Sequence, residues 1–301
     1  MRSTFFKFLG YALLSGLAIL LLFVFWPRHY DVPLQQPRSG TQYWNLSTGS
    51  RIAYTVLQPK EPAHKTPVIY LHGGPGGPIY DRNIELLKPL AEDGYTVYLY
   101  DQVGGGFSDR LTNIEDYSVE RHKRDLEAIV QEIGAEKVIL IGQSWGAILA
   151  TVFAADNPDK IEKIVFASPG PIQPQNRELA SLKAPDSLGI RAPTFSNAQG
   201  NAQANNLRTK ATAYCAMSFG IKLESDEEAD NFAVYLGSLT NRSLVCDTSK
   251  IPKPQGGSGY YVQVMTIKSI ESLTDPRPKL RLAPYPVLVM KGQCDNQKWG
   301  Y

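Results

Sequence analysis

Five short apolar segments recur along this chain of 301 residues, and four of them end at a glycine or a polar residue. Helical patterns separate most of them. Short apolar strands that alternate with amphipathic helices are typical of βαβ units and of a parallel sheet. The segments are 67–73, 95–101, 138–144, 163–169 and 286–292, the helical patterns are 81–92, 118–134 and 145–157, and a hairpin is expected over 43–58. The pattern predicts an α/β fold with a mostly parallel sheet.

The alternation stops between residues 170 and 283, where Asn, Gln, Pro and Ser become frequent. Helix-like pieces remain around 205–219 and 226–239. We interpret this stretch as a lid inserted over the carboxyl edge of the sheet, although it could also continue the core. The predicted organisation is a membrane anchor or signal segment at 1–30, the first part of the core at 31–169, the lid at 170–283 and the end of the core at 284–301.

The N-terminal segment is apolar on every side, since residues 9–26 carry no charge. At about 1.5 Å per residue, such a helix nearly spans the hydrocarbon core of a bilayer. We expect an uncleaved anchor rather than a cleaved signal peptide, because no small-x-small cleavage site follows Trp26. Arg2 and Lys7 favour a cytoplasmic N-terminus, so the rest of the chain would lie outside the cytoplasm.

The sequence Gly142-Gln143-Ser144-Trp145-Gly146 lies between an apolar strand pattern and a helix pattern. A serine on a sharp strand-to-helix turn presents its hydroxyl above the sheet, and glycines two residues to either side avoid a collision at that turn. The motif therefore predicts a nucleophile at Ser144.

Two glycine-rich loops follow other strands and should reach the same edge of the sheet. In His72-Gly73-Gly74-Pro75-Gly76-Gly77, backbone N–H groups are free to face a developing oxyanion. A phosphate loop is a weak rival, since no Gly-Lys-Ser/Thr follows. We expect structural roles for His72 and for Asp101, which begins the second loop.

Asp295 follows the last apolar segment directly, a position that suits the acid of a catalytic triad. An ordinary loop aspartate is the alternative interpretation. Together, HGGPGG, DQVGGGFSD, GQSWGA and this aspartate resemble the α/β-hydrolase superfamily, and within it the proline iminopeptidase family of serine aminopeptidases.

The resemblance covers about 67–170 and 284–294. It implies that Ser144 is the nucleophile, that Asp295 is the triad acid, and that the backbone N–H groups of Gly74 and Trp145 form the oxyanion hole. Family members hold a free amine with acidic groups of the lid. The acidic lid residues considered are Glu178, Glu224, Glu227 and Glu228, to none of which the resemblance assigns that role.

The order of the triad in this superfamily is Ser, Asp and then His. All four histidines of the given sequence precede Ser144, and His122 in particular is expected to be a solvated side chain on a charged helix face. We expect that the sequence is a hydrolase truncated at its C-terminus. The strand at 286–290 would then be an unpaired apolar edge.

The three cysteines allow a disulfide if the chain lies outside the cytoplasm. We expect Cys215 and Cys246 to pair, with two free thiols as the alternative, and Cys294 to be a packing residue.

The predicted function is a serine hydrolase that cleaves an N-terminal residue, of proline type, from peptides. The alternatives are an ester or amide hydrolase without amine recognition and an inactive, membrane-tethered binding protein. Haloalkane and epoxide hydrolysis are disfavoured, because that chemistry needs a carboxylate where this chain has Ser144. With 43% hydrophobic residues, 20% charged residues and a net charge of +2, the chain is globular and shows no basic surface for nucleic acid. No metal or cofactor is expected, and the oligomeric state stays open.

Overall fold

The strands of the chain form one twisted sheet with a mixed edge. The computed structural model describes residues 2–191, 194–251 and 253–294. In this part of the chain, seven strands pair in the order β1-β2-β4-β3-β5-β6-β7, and β2 is antiparallel to both of its neighbours while the others run parallel. The strands are β1 (Gln42–Asn45), β2 (Arg51–Leu57), β3 (Val68–Leu71), β4 (Val97–Tyr100), β5 (Val138–Gln143), β6 (Ile161–Ala167) and β7 (Val287–Met290). The predicted α/β class and the hairpin are confirmed.

Helices cover both faces of the sheet, as the alternation of strands and helices predicts. They are α2 (Asp81–Glu92) on one face and α3 (Val119–Ile133) and α4 (Trp145–Asp156) on the other. Side chains of β3 alternate between the two cores: Val68 and Tyr70 pack with Leu87 of α2, and Ile69 and Leu71 join the core beneath α3 and α4. This alternation is the period-two pattern of a strand that is buried on both faces.

The histidine of α3 corrects one expectation. His122 is 2% exposed, and its ring packs edge-on against the Trp145 ring at 5.6 Å between centroids. The charged neighbours that suggested a solvated face are themselves buried, since Arg121 and Asp125 pair with each other at 3.2 Å and both bond Ser50 of the hairpin turn. Charged side chains can be buried when they are paired and hydrogen-bonded, so a charged sequence was a poor guide to exposure here.

Further helices fill the chain between β6 and β7. They are α5 (Asn197–Ala204), α6 (Leu207–Phe219), α7 (Asp226–Thr240), α8 (Tyr260–Ile270) and α9 (Arg277–Leu280). The expected pieces at 205–219 and 226–239 correspond to α6 and α7, whereas α5, α8 and α9 were not predicted. Since α9 packs on α4, the end of this stretch lies against the core. The proposed domain boundaries stay a prediction.

The N-terminal helix α1 (Arg2–Phe25) is the one described helix long and apolar enough to cross a membrane. Its segment Phe5–Phe25 has a mean hydropathy of 2.5 and is not buried against the rest of the chain. A signal sequence has the same properties, so the helix is a candidate span.

The last described strand is a bare edge, as expected. β7 pairs with β6 alone, and all four of its residues are exposed, with Val289 at 60%. An exposed apolar edge strand can pair with another chain.

The expected cysteine pairing is wrong. A disulfide joins Cys246 to Cys294, and Cys215 of α6 is a free, partly buried thiol. Proximity along the sequence suggested Cys215 as the partner of Cys246. The fold instead brings the segment after α7 to the residues that follow β7.

Candidate active site

Ser144 lies at the turn between β5 and α4 with a strained backbone. Its φ of 51° and ψ of −116° are unusual for a residue with a side chain. Two backbone hydrogen bonds hold this geometry, because the Ser144 carbonyl oxygen accepts from the N–H groups of Ala147 and Gly170, each at 3.0 Å. Within the described residues its hydroxyl makes no hydrogen bond, so it is free to meet a ligand.

The two glycines of the motif are required by close backbone approaches. A β-carbon at Gly146 would come within 2.0 Å of the carbonyl oxygen of Leu71. A β-carbon at Gly142 would come within 2.7 Å of the α-carbon of Ala147. The collision that the sequence predicted for both positions is therefore present in the structure.

The glycine-rich loop after β3 passes beside Ser144. A β-carbon at Gly73 would lie 3.2 Å from the β-carbon of Ser144, and one at Gly74 would lie 2.7 Å from the nitrogen of Gly77. Neither the N–H of Gly74 nor that of Trp145 bonds another described residue. Both donors therefore remain available near Ser144, as an oxyanion hole requires, although their catalytic role stays a prediction.

A buried network beneath this loop joins three loops at the carboxyl edge of the sheet. The indole Nε1 of Trp145 donates to Oε1 of Gln102 at 2.8 Å, and Nε2 of Gln102 donates to the carbonyl oxygen of His72 at 3.2 Å. The backbone N–H of Gln102 donates to Nε2 of His72 at 3.0 Å. The network fixes the positions of the glycine loop and of the turn relative to each other.

His72 has the structural role that the sequence predicted. Its Nε2 accepts a hydrogen bond, so its proton lies on Nδ1, which contacts the Gly73 carbonyl oxygen at 2.8 Å. Burial lowers the pKa of His72 to about 4, which keeps the ring neutral. Both ring nitrogens are engaged, and the side chain is not available as a base.

Asp101 holds the neighbouring loop, also as predicted. Its carboxylate accepts from the backbone N–H groups of Ile79 and Phe107 at 2.6 and 2.9 Å. A β-carbon at Gly106 would collide with this carboxylate at 2.1 Å. Burial raises the pKa of Asp101, while the two backbone hydrogen bonds oppose the shift.

A cavity of about 600 Å³ opens above Ser144 and Gly74. Helices of the stretch between β6 and β7 form the rest of its wall. Its described lining is neutral, and consists of amide and hydroxyl groups beside apolar side chains. The amides are those of Asn197, Asn201, Asn205, Asn241 and Gln263, and the larger apolar residues are Met217, Phe232, Leu236, Leu244, Tyr260, Val264 and Ile267.

The acidic residues that were considered for amine binding lie elsewhere in the described structure. Glu228 forms a two-point ion pair with Arg208, with both distances at 2.7 Å, and Glu224 bonds Thr212 at 2.7 Å. Glu178 and Glu227 are exposed. None of the four is part of the described cavity wall.

Asp295 lies outside the described residues, so its predicted place in a triad is untested. The segment just before it is well held. Gln293 accepts a hydrogen bond from the Arg191 backbone at 2.9 Å and donates to the Gly189 carbonyl at 2.8 Å, and Cys294 is in the disulfide with Cys246. The chain after β7 is therefore joined to the inserted helices.

Sequence reasoning missed two contributors to the site. Gln102, which lies in the motif DQVGGGFSD, received no role. Its only signal in the sequence is its position between a strand end and a glycine run, and only the structure shows that it is buried. Helix α8, whose Tyr260, Gln263 and Val264 line the cavity, follows a glycine-rich segment at 256–259 that marks its start. Among the described residues, no cluster of His, Cys, Asp and Glu could hold a metal ion.

Comparison with known proteins agrees with this architecture. Residues 66–296 match the alpha/beta hydrolase fold family. A proline iminopeptidase of Heyndrickxia coagulans is 36% identical over 140 residues, which are 45% of this chain and 47% of the relative. A haloalkane dehalogenase of Mycobacterium marinum is 34% identical over 107 residues, or 36% of this chain and 35% of the relative. The chain thus spans less than half the length of these curated relatives.

A solved structure shows the same fold at low identity. The bromoperoxidase from Bacillus anthracis matches with a TM-score of 0.50 and 20% identity. The match covers 86% of this chain and 83% of the bromoperoxidase chain. The chain belongs to the α/β-hydrolase family, whose fold here presents a serine on a strained strand-to-helix turn. In sequence it is similar to proline iminopeptidases within that family.

Proposed function

We propose that this protein is a serine hydrolase that acts through an acyl-enzyme on Ser144. The observation that carries the proposal is the strained turn at Ser144, which presents an unbonded hydroxyl to the cavity. In the proposed reaction, Oγ attacks a substrate carbonyl and forms an ester. The leaving amine or alcohol takes a proton, and water then hydrolyses the ester to release the acid and restore Ser144.

The oxyanion of the tetrahedral intermediate would bind the N–H groups of Gly74 and Trp145. Such a donor typically contributes about 3 kcal/mol to transition-state stabilisation. Two observations support this assignment. Neither N–H group donates a hydrogen bond to another described residue, and close backbone contacts fix the position of Gly74.

Asp295 is proposed as the acid that orients a histidine base. The proposal needs that histidine after Asp295, and the given sequence carries none there. The described histidines do not replace it, because His72 and His122 are buried and engaged with other groups, and the exposed His29 and His64 are not part of the cavity wall.

For the substrate, we propose a peptide whose N-terminal residue, of proline type, is released. The similarity to proline iminopeptidases supports this choice. Haloalkane hydrolysis is not proposed despite the similarity to a dehalogenase, since a hydroxyl at the turn cannot supply the carboxylate that this chemistry uses.

The cavity favours a second candidate, an ester or amide hydrolase that does not recognise an amine. A free N-terminal ammonium needs a carboxylate partner when it is desolvated. The described wall offers amides and apolar side chains, and the acidic residues considered above lie elsewhere.

One pair of assays tests the proposal on the full-length protein. A fluorophosphonate probe should label the native protein and leave Ser144→Ala unlabelled, while Ser118→Ala, which changes the serine before α3, should keep its label. Labelling of Ser144→Ala would exclude Ser144 as the nucleophile. Absence of labelling in the native protein would favour an inactive binding protein.

Substrate choice is then measured with proline-β-naphthylamide and its N-acetylated form. An aminopeptidase should reject the blocked compound, whereas the second candidate should hydrolyse both.

We further propose that α1 anchors the protein in a membrane with the catalytic part outside the cytoplasm. The apolar length of α1 and the flanking Arg2 and Lys7 support this proposal.

A further inference from the structure

The end of α1 is built into the helices that line the cavity. Arg208 of α6 is 4% exposed, and its guanidinium donates to the carbonyl oxygen of Val24, in the last turn of α1, at 2.6 Å. The same guanidinium holds Glu228 of α7, which also accepts from the backbone N–H of Arg28 at 2.7 Å. One buried cation therefore joins the end of α1 to both α6 and α7.

The residues after α1 extend this contact. The Tyr30 ring lies against the rings of Phe232 and Tyr235 of α7, with both centroid distances at 5.5 Å, and Asn206 donates to the Tyr30 hydroxyl. Further on, the Pro33 carbonyl accepts from the N–H of Gly256 at 3.1 Å. Residues 24–33 thus lie along the inserted helices rather than forming a free linker.

The outer side of α6 is apolar and uncovered in the described structure. Leu207, Tyr214 and Met217 lie on one face of the helix, at spacings of seven and three residues, and Ile221 continues that face past the helix end. We name these four residues the α6 stripe. They are 43–62% exposed, while the opposite face of α6 is buried. Contiguous exposed apolar surface of this kind marks an interaction site.

The α6 stripe connects α1 to the cavity above Ser144. At its start, Leu207 is the neighbour of Arg208, which bonds α1. Near its end, Met217 lines the cavity wall. Lys210 is exposed on the same side of α6, and its amine can reach lipid phosphates while its stem covers apolar surface.

We propose that the α6 stripe lies on the surface of the bilayer that holds α1, and that substrate reaches Ser144 from the lipid–water interface. The bilayer is the occupant because Arg208 fixes the first turn of α6 at the end of the membrane-spanning helix. An amphipathic helix placed there buries its apolar side in the interface. The substrate class is that of the second candidate function, a neutral acyl ester or amide, here with a hydrophobic group that suits the cavity lining. The inference rests on the proposed anchoring by α1 and on that candidate function.

The test places a polarity-sensitive fluorophore on the full chain, with α1 present, in vesicles of phosphatidylcholine and phosphatidylglycerol. In a Cys215→Ser background, the label is attached at Tyr214→Cys. The matched control is Leu86→Cys, a 70% exposed leucine on α2, which packs on β2 and β4. We expect a blue-shifted emission and quenching by doxyl-labelled lipids at position 214, and neither at position 86. Ser218→Cys, one turn further on, serves if Tyr214→Cys does not fold.

Three results would overturn the inference. Equal exposure of both labels to water would show that the α6 stripe faces solvent. A label at 214 that is shielded from aqueous iodide but unquenched by lipids would mean that protein, such as a second copy of the chain, covers the stripe. Extraction of the full chain from membranes by alkaline carbonate would show that α1 does not anchor the protein in the bilayer. None of these results depends on fluorophosphonate labelling of Ser144, which tests the proposed chemistry separately.

Discussion

The indole nitrogen of Trp145 and the side-chain oxygen of Gln102 lie 2.8 Å apart, and their hydrogen bond joins the turn at Ser144 to the loop after β4. Gln102 in turn bonds His72, which begins the glycine-rich loop. The unbonded N–H groups of Gly74 and Trp145 therefore belong to segments that one buried amide holds in register. Donors fixed in this way need no rearrangement when charge develops on a substrate.

Removal of the Gln102 amide should destabilise the fold. Gln102→Leu loses the side-chain bonds to the Trp145 indole and to the His72 carbonyl oxygen, and it leaves the indole N–H without its partner in a buried site. A buried unsatisfied group costs about 1–3 kcal/mol in the free energy of unfolding, which urea denaturation would measure. Gln131→Leu, at an exposed position of α3, is the control and should have little effect. Equal losses in both variants would contradict the role of the network.

A methyl group at Gly146 should also destabilise the protein. The β-carbon of Gly146→Ala would meet the Leu71 carbonyl oxygen at 2.0 Å, and overpacking of this kind costs about 1–3 kcal/mol in the free energy of unfolding. Gly237→Ala in α7 is the matched change, since nothing lies within 4 Å of its β-carbon. There the substitution should stabilise by up to about 1 kcal/mol through helix propensity. Urea denaturation compares the two, and a stable Gly146→Ala would show that the turn can relax.

His122 should make the protein sensitive to acid. Burial lowers the pKa of His122 to about 3 from its ordinary 6.5, so between these values the unfolded chain binds a proton that the folded chain does not. Stability contributed in this way is present above pH 6.5 and is lost as the pH falls toward 3. His122→Gln removes the titration, and the free energy of unfolding should then fall less between pH 7 and pH 5.

Gln131→Leu, on the same helix, provides the control for this measurement because it changes no titratable group. It should leave the pH dependence of unfolding as it is in the native protein. If His122→Gln also kept the native slope, another group would be responsible for it.

The disulfide between Cys246 and Cys294 should stabilise the fold by restricting the unfolded chain. For a separation of 48 residues, the chain-entropy relation gives about 4 kcal/mol. Cys246→Ser should therefore lower the free energy of unfolding, and a reductant should destabilise the native protein but not the variant. Cys215→Ser changes a free thiol and is the control. If reductant destabilised Cys246→Ser as much as the native protein, that result would argue against this pairing.

The sequence was sufficient where a feature depends on neighbouring residues. The period of apolar residues predicted the strands that carry the site and the helices α2, α3 and α4, since each buries a regular stripe or face. The glycines around Ser144 predicted the strained turn, because that turn excludes side chains at two fixed positions. Asp101 and His72 were also assigned correctly, as polar residues at strand ends that bond local backbone.

Tertiary structure decided what depends on residues distant in the sequence. His122 is buried because Arg121 and Asp125 are neutralised by each other and by a hairpin turn some 70 residues earlier. Cys246 pairs with Cys294 because the fold brings the inserted helices to the end of β7. The neutral cavity wall arises in the same way, from helices whose own patterns do not show which face covers Ser144. Local patterns fixed the elements of this protein, and packing between distant elements chose their partners.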